Sequence, residues 1–250
     1  MDLLYYIITG ALVGFTVGIT GVCGGSLMTP LLLGFGFPIH TAVGTDLLYA
    51  GLTKTGGMLA HHKLKNVDWR IMALLAAGSL PAAALVLVSL SAFESNEQYG
   101  VLLNATLGGM LIATSAVILF RDKLRQLPVL KIPTRFLLPA IGLVLGASVA
   151  LSSVGAGAIT AALLMILYPS LQTTRIIGTD IAHAVPVTLL AGAGHWYLGN
   201  VDFFLLTGLL MGSLPAISLD ARFSNYLPEK IIQPFLGVLL LSIGMKVVLS

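Results

Sequence analysis

The chain has 250 residues, of which 57% are hydrophobic and only 9% are charged, and 13 basic against 10 acidic side chains give a formal net charge of +3. A soluble globular domain carries about 25% charged residues, so this composition excludes an ordinary soluble protein. Several apolar runs are about 20 residues long, the length that spans roughly 30 Å of hydrocarbon, and they predict an all-α, polytopic membrane protein. No basic tract of the kind that binds nucleic acid is present, and the single cysteine excludes an intramolecular disulfide.

The first half of the chain predicts an interrupted helical hairpin followed by three long helices. Its opening apolar stretch carries Asp2 instead of basic residues and runs into glycines, so we expect it to belong to the fold and not to a signal peptide. The second helix would reach only about 16 Å at 1.5 Å per residue, which favours a hairpin that re-enters or breaks within the membrane. The expected segments are a helix at 3–20, a glycine-rich break at 21–25, a short helix at 26–36, a loop at 37–43, and helices at 44–62, 69–90 and 98–120.

The second half repeats the first, and this repeat is the strongest signal in the sequence. The repeat predicts three parts, namely repeat 1 at 1–120, a polar linker at 121–134 and repeat 2 at 135–250. Positions that share the offset of 134, or of 132 in the upstream stretches 14–25 and 146–157, are called matching positions below. The matching blocks are Gly44-Thr45-Asp46 with Gly178-Thr179-Asp180, Asn66-Val67-Asp68 with Asn200-Val201-Asp202, and Gly78-Ser79-Leu80-Pro81-Ala82 with Gly212-Ser213-Leu214-Pro215-Ala216.

Charge placement predicts that the two repeats have opposite orientations in the membrane. Lys and Arg accumulate on the cytoplasmic side, which places the basic linker inside. An odd number of spans in each half then inverts the second copy, and inversion keeps Arg175, Arg222 and Lys230 inside as well. Only Lys246, near the C-terminus, is misplaced by this arrangement.

Two glycine-rich breaks at matching places indicate a substrate site. Inverted repeats with interrupted helices are typical of secondary transporters, whose site lies near the membrane midplane. Glycine lets backbone N–H groups face a ligand, and the helix that follows presents a positive N-terminus, so the breaks favour an anion. The alternative is that the glycines serve close helix packing, and that Cys23 is a small core residue. The candidate binding residues here are Cys23, Gly24, Gly25, Ser26, Ser152, Ser153, Gly155 and Gly157.

The repeated Gly-Thr-Asp blocks place a hydroxyl and a carboxylate at the predicted start of a long helix. Thr45 and Thr179 are candidate substrate ligands, and Asp46 and Asp180 are candidate proton carriers, because a carboxylate within the bilayer is expensive and usually functional. The same residue types are ordinary helix N-caps, which is a structural explanation. Lys54 lies in the same helix and would either neutralise an anion or pair with Asp46.

His61 and His195 are matching residues with two explanations. Histidine titrates near neutrality, so proton coupling is one, and an interfacial position beside Trp196 and Tyr197 is the other. Adjacent histidines on a helix diverge by about 100° and inversion separates the third, so we expect no metal site, and no cofactor.

Two further matching pairs predict local structure. Asp68 and Asp202 are expected to cap the helices that follow them, and Pro81 and Pro215 to kink their spans.

The ordered motifs resemble those of the TauE/SafE sulfite exporter family of membrane permeases. The resemblance rests on Gly14-x3-Gly18-x2-Gly21-x2-Gly24-Gly25, Pro30, Val43-Gly44-Thr45 and Asn66-Val67-Asp68-Trp69-Arg70, and covers nearly the whole chain. It implies a permease of prokaryotic inner membranes that moves a small sulfur-containing anion, such as sulfite, thiosulfate or an organosulfonate, with proton coupling.

The sequence therefore predicts a secondary transporter with an alternating-access site between the repeats. Its expected partners are a small anion and the lipid bilayer, with no nucleic acid, and a homo-oligomer is compatible with the pattern. An anion channel is one alternative, and a cation transporter that uses Asp46 and Asp180 is another. An enzyme is not expected, because neither a nucleophile paired with a base nor a metal-ligand spacing is evident.

Overall fold

The computed structural model describes the backbone of residues 2–20, 24–93, 97–124, 134–155, 157–223 and 229–249. Side chains are described for 3–16, 27–92, 100–120, 123–124, 134–155, 157–217 and 234–249. Within these ranges every regular element is a helix, which confirms the all-α prediction. The helices are α1 (Asp2–Thr20), α2 (Gly24–Gly34), α3 (Ile39–Lys63), α4 (Trp69–Phe93), α5 (Glu97–Leu119), α6 (Arg121–Leu124), α7 (Thr134–Ser152), α8 (Ala158–Leu167), α9 (Thr173–Tyr197), α10 (Phe203–Phe223) and α11 (Glu229–Leu249).

Four of the described helices are long and apolar enough to cross a membrane, which confirms a polytopic membrane protein. These spans are Trp69–Ala92, Gly100–Leu119, Thr134–Ser152 and Thr173–Tyr197. Shorter apolar helices lie at Leu3–Thr16, Ala158–Leu167, Phe203–Ile217 and Pro234–Leu249.

The third helix begins earlier than expected, at Ile39, so the predicted loop at 37–43 is wrong. Pro38 precedes it with φ −57° and ψ 144°, and the missing proline N–H costs nothing there because the first N–H groups of a helix have no partner within it. Thr45 and Asp46 therefore lie in the second turn of α3, and the prediction that they cap it is wrong. The capping role predicted for Asp68 and Asp202 is confirmed: their Oδ1 atoms accept hydrogen bonds from the N–H of Ile71 at 3.2 Å and of Leu205 at 3.0 Å.

Each half packs its first helix against the fourth helix of the other half, α1 against α10 and α7 against α4. Glycine allows this close approach: a Cβ added at Gly10 would overlap the carbonyl oxygen of Leu209, and a Cβ at Gly142 that of Leu75. Gly10 and Gly142 share the offset of 132 positions, and Leu75 and Leu209 share that of 134, so the two contacts correspond. Small residues serve such close packing in membrane helices generally, so the packing explanation holds for these glycines.

The two central helices, α3 and α9, cross in antiparallel directions. A Cβ at Gly51 would lie 3.2 Å from the Thr188 hydroxyl, whereas a Cβ at Gly57, further along α3, would lie 3.7 Å from Ile181, earlier in α9. The midpoint of the crossing thus lies near residues 52–54 of α3. A buried apolar cluster surrounds it, formed by Val43, Leu47, Ala83, Val149, Ala150, Ala184, Val187 and Ala191.

Candidate functional site

Asp46 lies at the centre of the fold, where its side chain accepts three hydrogen bonds. It is fully buried, and its Oδ2 accepts hydrogen bonds from the Thr29 N–H at 3.2 Å, the Thr29 hydroxyl at 2.5 Å and the Ser153 hydroxyl at 3.0 Å. Thr29 comes from α2, and Ser153 comes from the break between α7 and α8. One carboxylate therefore joins three segments, including one from the second half of the chain.

Asp180 occupies the matching position in α9 and is also buried, with 2% of its surface exposed. The side chain of Thr160, in α8, faces this carboxylate. In both aspartates the Oδ1 atom is buried and has no hydrogen-bond partner among the described residues. Buried polar atoms are nearly always paired, so two matching unpaired carboxylate oxygens make this centre the candidate site for a proton or a ligand.

Lys54 supplies a positive charge to the same region. It lies in α3, is half-buried, and its charge acts on Asp46, on Asp180 and on His183. The matching residue of α9 is Thr188, which is neutral and buried. The sequence left open whether Lys54 neutralises an anion or pairs with Asp46; the structure adds the carboxylate of the other half to its surroundings.

His183 is a polar residue of this centre that the sequence analysis missed. It is buried, its Nε2 lies 2.8 Å from the Ser79 hydroxyl, and its Nδ1 has no hydrogen-bond partner among the described residues. The matching residue is Tyr49, whose side chain lies beside Ser213, the residue that matches Ser79. Residues three apart on a helix share a face, so the position of His183 relative to Asp180 was a detectable signal.

Thr45 and Thr179, predicted as substrate ligands, bind the backbone of the opposite half. The Thr45 hydroxyl accepts a hydrogen bond from the N–H of Asp202 at 3.1 Å, and the Thr179 hydroxyl accepts one from the N–H of Asp68 at 2.9 Å. Each hydroxyl thereby fixes the start of the helix that the aspartate caps. These contacts give both threonines a structural function, and their contact with a substrate stays a prediction.

The break in the second half has the backbone geometry that its glycines indicate. Gly155 has φ 120° and Gly157 has φ 144°, values that residues with a Cβ atom rarely adopt. Ser153 is in the left-handed region at φ 59°. The Ser152 hydroxyl donates to the carbonyl of Ser148 at 2.7 Å, so it closes the end of α7.

The structure describes only some of the predicted binding residues of the first break. Gly24 and Gly25 begin α2, together with Ser26, whose side chain lies outside the described ones. Cys23 lies outside the described residues.

His61 and His195 pack against the Gly-Thr-Asp blocks of the opposite halves. The His195 Cβ would lie 3.0 Å from a Cβ at Gly44, and the His61 Nδ1 would lie 3.0 Å from a Cβ at Gly178. His195 is fully buried with its Nε2 2.9 Å from the Ala150 carbonyl oxygen, whereas the neighbouring Trp196 is 59% exposed. Among the described residues, no group of three or more His, Cys, Asp or Glu side chains is placed to hold a metal ion.

Comparison with known proteins gives one consistent result. A family model described as sulfite exporter TauE/SafE matches residues 6–247. The chain is 36% identical over 251 residues to the probable membrane transporter protein YjnA of Bacillus subtilis (strain 168), an alignment that covers 97% of this chain and 98% of the relative. It is 26% identical over 227 residues to the probable membrane transporter protein YdhB of the same organism, covering 89% and 90%. No solved structure matches the chain.

Proposed function

Because the chain belongs to the sulfite exporter TauE/SafE family and is a multi-pass membrane transporter, we propose that it carries a small sulfur-containing anion together with protons. The candidate substrates are sulfite, thiosulfate and organosulfonates. One observation carries the proposal: two buried aspartates, each with an unpaired oxygen, lie within the electrostatic reach of one lysine where the two halves of the chain meet.

The charges of this centre favour coupling between anion and proton. An ionised carboxylate 4 Å from an anion opposes its binding by about 4 kcal/mol at an effective dielectric constant of 20. A proton on Asp46 or Asp180 removes that repulsion and also the cost of a buried negative charge. Each ligand then raises the affinity for the other, because such coupling is reciprocal.

The contacts between the halves support alternating access. The pairs α1–α10 and α4–α7 join each half to the other through matching glycines, so movement of one half changes both sides of the centre. With the two repeats inverted, this movement would open the centre to one side of the inner membrane and then to the other. Backbone N–H groups of the two breaks, near Gly24, Gly25, Gly155 and Gly157, would add donors for the anion.

Two observations keep a cation transporter as the second candidate. Asp46 and Asp180 are both buried, and each has an oxygen atom without a hydrogen-bond partner among the described residues. Intramembrane carboxylates mark cation pathways as well as proton relays. The positive charge of Lys54 opposes this use, and for that reason the anion is the first proposal.

Uptake into proteoliposomes tests the proposal directly. Purified protein is reconstituted and given labelled sulfite, thiosulfate or methanesulfonate with an inward pH gradient, and protein-free liposomes serve as the control. We expect accumulation of at least one anion, abolished by a protonophore, and saturable counterflow, which a channel does not show. If none of the three is accumulated or exchanged while ²²Na⁺ is, the protein is a cation transporter and the proposal is wrong.

A further inference from the structure

Lys54 lies close to the midpoint of the α3–α9 crossing. The contacts of Gly51 with Thr188 and of Gly57 with Ile181 bracket it, so Lys54 is level with the stretch of α9 that follows Asp180. Asp46 is eight residues away on α3, about 12 Å along the helix axis at 1.5 Å per residue. The long lysine side chain therefore starts nearer the level of Asp180 than that of Asp46.

The two aspartates differ in the donors that compensate their charge. Asp46 receives three hydrogen bonds, one of them from Ser153. The position that matches Ser153 is Gly21, which has no hydroxyl. Asp180 is faced by the Thr160 side chain and by the charge of Lys54. That charge also acts on Asp46, but the three hydrogen bonds have the larger effect there. Asp180 therefore depends on a cation more than Asp46 does.

We propose that Lys54 is the anion-binding residue of the transport site, and that its charge compensates the Asp180 carboxylate in the empty site and the substrate anion in the loaded one. The inference rests on the proposed function. It assigns the anion to Lys54 and the coupled proton to Asp180. Asp180 takes one proton from the aqueous side when the anion binds, and returns it when the anion leaves. A monoanion replaces one carboxylate charge, so the net charge around Lys54 is the same in both states.

This exchange explains why binding of an anion requires a proton. While Asp180 is ionised it competes with the substrate for the same ammonium group, and protonation ends the competition. Asp46 does not take part, because its Oδ2 is held by Thr29 and Ser153. We assign it a structural role, in which its hydrogen bonds hold α2 and the second break against α3.

Four helices contribute further polar groups around Lys54 and Asp180. α3 contributes Asp46 and Tyr49, α9 contributes His183, and α8 and α4 contribute the Thr160 and Ser79 hydroxyls, which do not titrate near neutrality. His183 is the competing titratable group, so a variant of it belongs in the test.

The first measurement is anion binding, followed by thermal stabilisation of the purified protein with sulfite, thiosulfate and methanesulfonate. We expect Lys54→Thr, which installs the residue of the matching position, to weaken binding about 10- to 100-fold, the value of a charge-assisted contact. Lys54→Arg keeps the charge and should bind within a few-fold of the unsubstituted protein. Unchanged affinity in Lys54→Thr overturns the proposal, and the arginine variant shows that the site still folds.

The second measurement is transport with and without a pH gradient. Asp180→Asn should retain counterflow of the anion but lose accumulation driven by the gradient, while the surface variant Arg175→Thr, outside the centre, should keep both. If Asp180→Asn still accumulates anion from a pH gradient, or if only His183→Gln loses that accumulation, the assignment of Asp180 is wrong. If the unsubstituted protein moves none of the three anions, the proposed function is itself wrong and this inference falls with it.

Discussion

Asp46 and Asp180 occupy matching places in the two halves, and their surroundings differ in one specific way. Both are buried in the middle of the fold, and both leave Oδ1 without a hydrogen-bond partner among the described residues. The Oδ2 of Asp46, however, receives hydrogen bonds from Thr29 and Ser153, whereas the charge facing Asp180 is that of Lys54. The same backbone position thus holds a carboxylate with three hydrogen bonds in one half and one that is exposed mainly to the charge of a lysine in the other.

This difference separates the residues that pack and cap the helices from the polar residues of the proposed site. The contacts that repeat in both halves are those of packing and capping: glycine against helix backbone, threonine against the start of the next helix, aspartate as its cap. The residue types that do not repeat are Lys54, which matches Thr188, His183, which matches Tyr49, and Ser153, which matches Gly21. Duplication supplies a symmetric frame, and a few substitutions near its centre make the two sides of the site different.

The largest expected effect comes from disrupting the close helix packing that both halves share. A Cβ at Gly146 would overlap the carbonyl oxygen of Ser79, and backbone cannot move aside as a flexible side chain can. We expect Gly146→Val to separate α7 from α4 and to cost about 3 kcal/mol or more, seen as loss of a monodisperse peak in detergent. Gly109→Val is the control, because a Cβ there would have no described atom within 4 Å. Equal behaviour of the two variants would contradict the packing assigned to the frame.

The next effect compares the two aspartates directly. Asp46→Ala removes the acceptor of the hydrogen bonds from the Thr29 N–H and from the hydroxyls of Thr29 and Ser153, and leaves the two hydroxyls unpaired. Unpaired buried donors cost about 1–3 kcal/mol each, so we expect a loss of about 3 kcal/mol. Asp180→Ala should cost about 1 kcal/mol, because fewer donors depend on it and because Lys54 is only half-buried, so that solvent screens the charge left uncompensated. Thermal midpoints of the two variants, measured without substrate, check the order, and a larger loss in Asp180→Ala would reverse the roles given to the pair.

A smaller effect isolates the single donor that distinguishes Asp46. Ser153 donates to Asp46 at 3.0 Å from a backbone with φ 59°, a conformation that costs a non-glycine residue roughly 1 kcal/mol. Ser153→Ala loses the hydrogen bond and keeps that backbone cost, whereas Ser153→Gly, which installs the residue of the matching position, loses both. We expect the alanine variant to be less stable than the glycine variant by about 1 kcal/mol. Equal thermal midpoints would show that the left-handed backbone is not strained.

The frame could be predicted from the sequence because its determinants are local or repeated. Apolar length predicts the helices, the offset of 134 positions reveals the halves, and Asp68 and Asp202 precede their helices in the usual cap position. The start of α3 could not be predicted, because Thr45 resembles a local cap while its hydroxyl in fact binds the N–H of Asp202, 157 residues away. No local pattern carries that contact.

Only some polar residues of the buried centre could be predicted from the sequence, and the repeat itself explains why. A search for matching residues finds Asp46 with Asp180 and His61 with His195, and it passes over His183 because its counterpart is a tyrosine. The histidines it finds pack against Gly44 and Gly178. Residues that make the halves different are absent from the repeat by definition, and only the fold brings Lys54, Asp180 and His183 together.

The smallest expected effect concerns another place where the halves differ, at the surface. Arg175 forms an ion pair with Asp68 at 3.3 Å, with the two side chains 47% and 22% exposed, and the position that matches Arg175 is Thr41. Exposed pairs contribute about 0.2–1 kcal/mol and are screened by salt. We expect Arg175→Thr to lower the thermal midpoint slightly at low ionic strength and not at all in about 1 M salt, where the Debye length is about 3 Å. Asp68→Ala should cost about 1 kcal/mol more and keep most of that loss in salt, because it also removes the cap of α4. A salt-independent loss in Arg175→Thr would show that this asymmetry, like that of the two buried aspartates, belongs to the core and not to the surface.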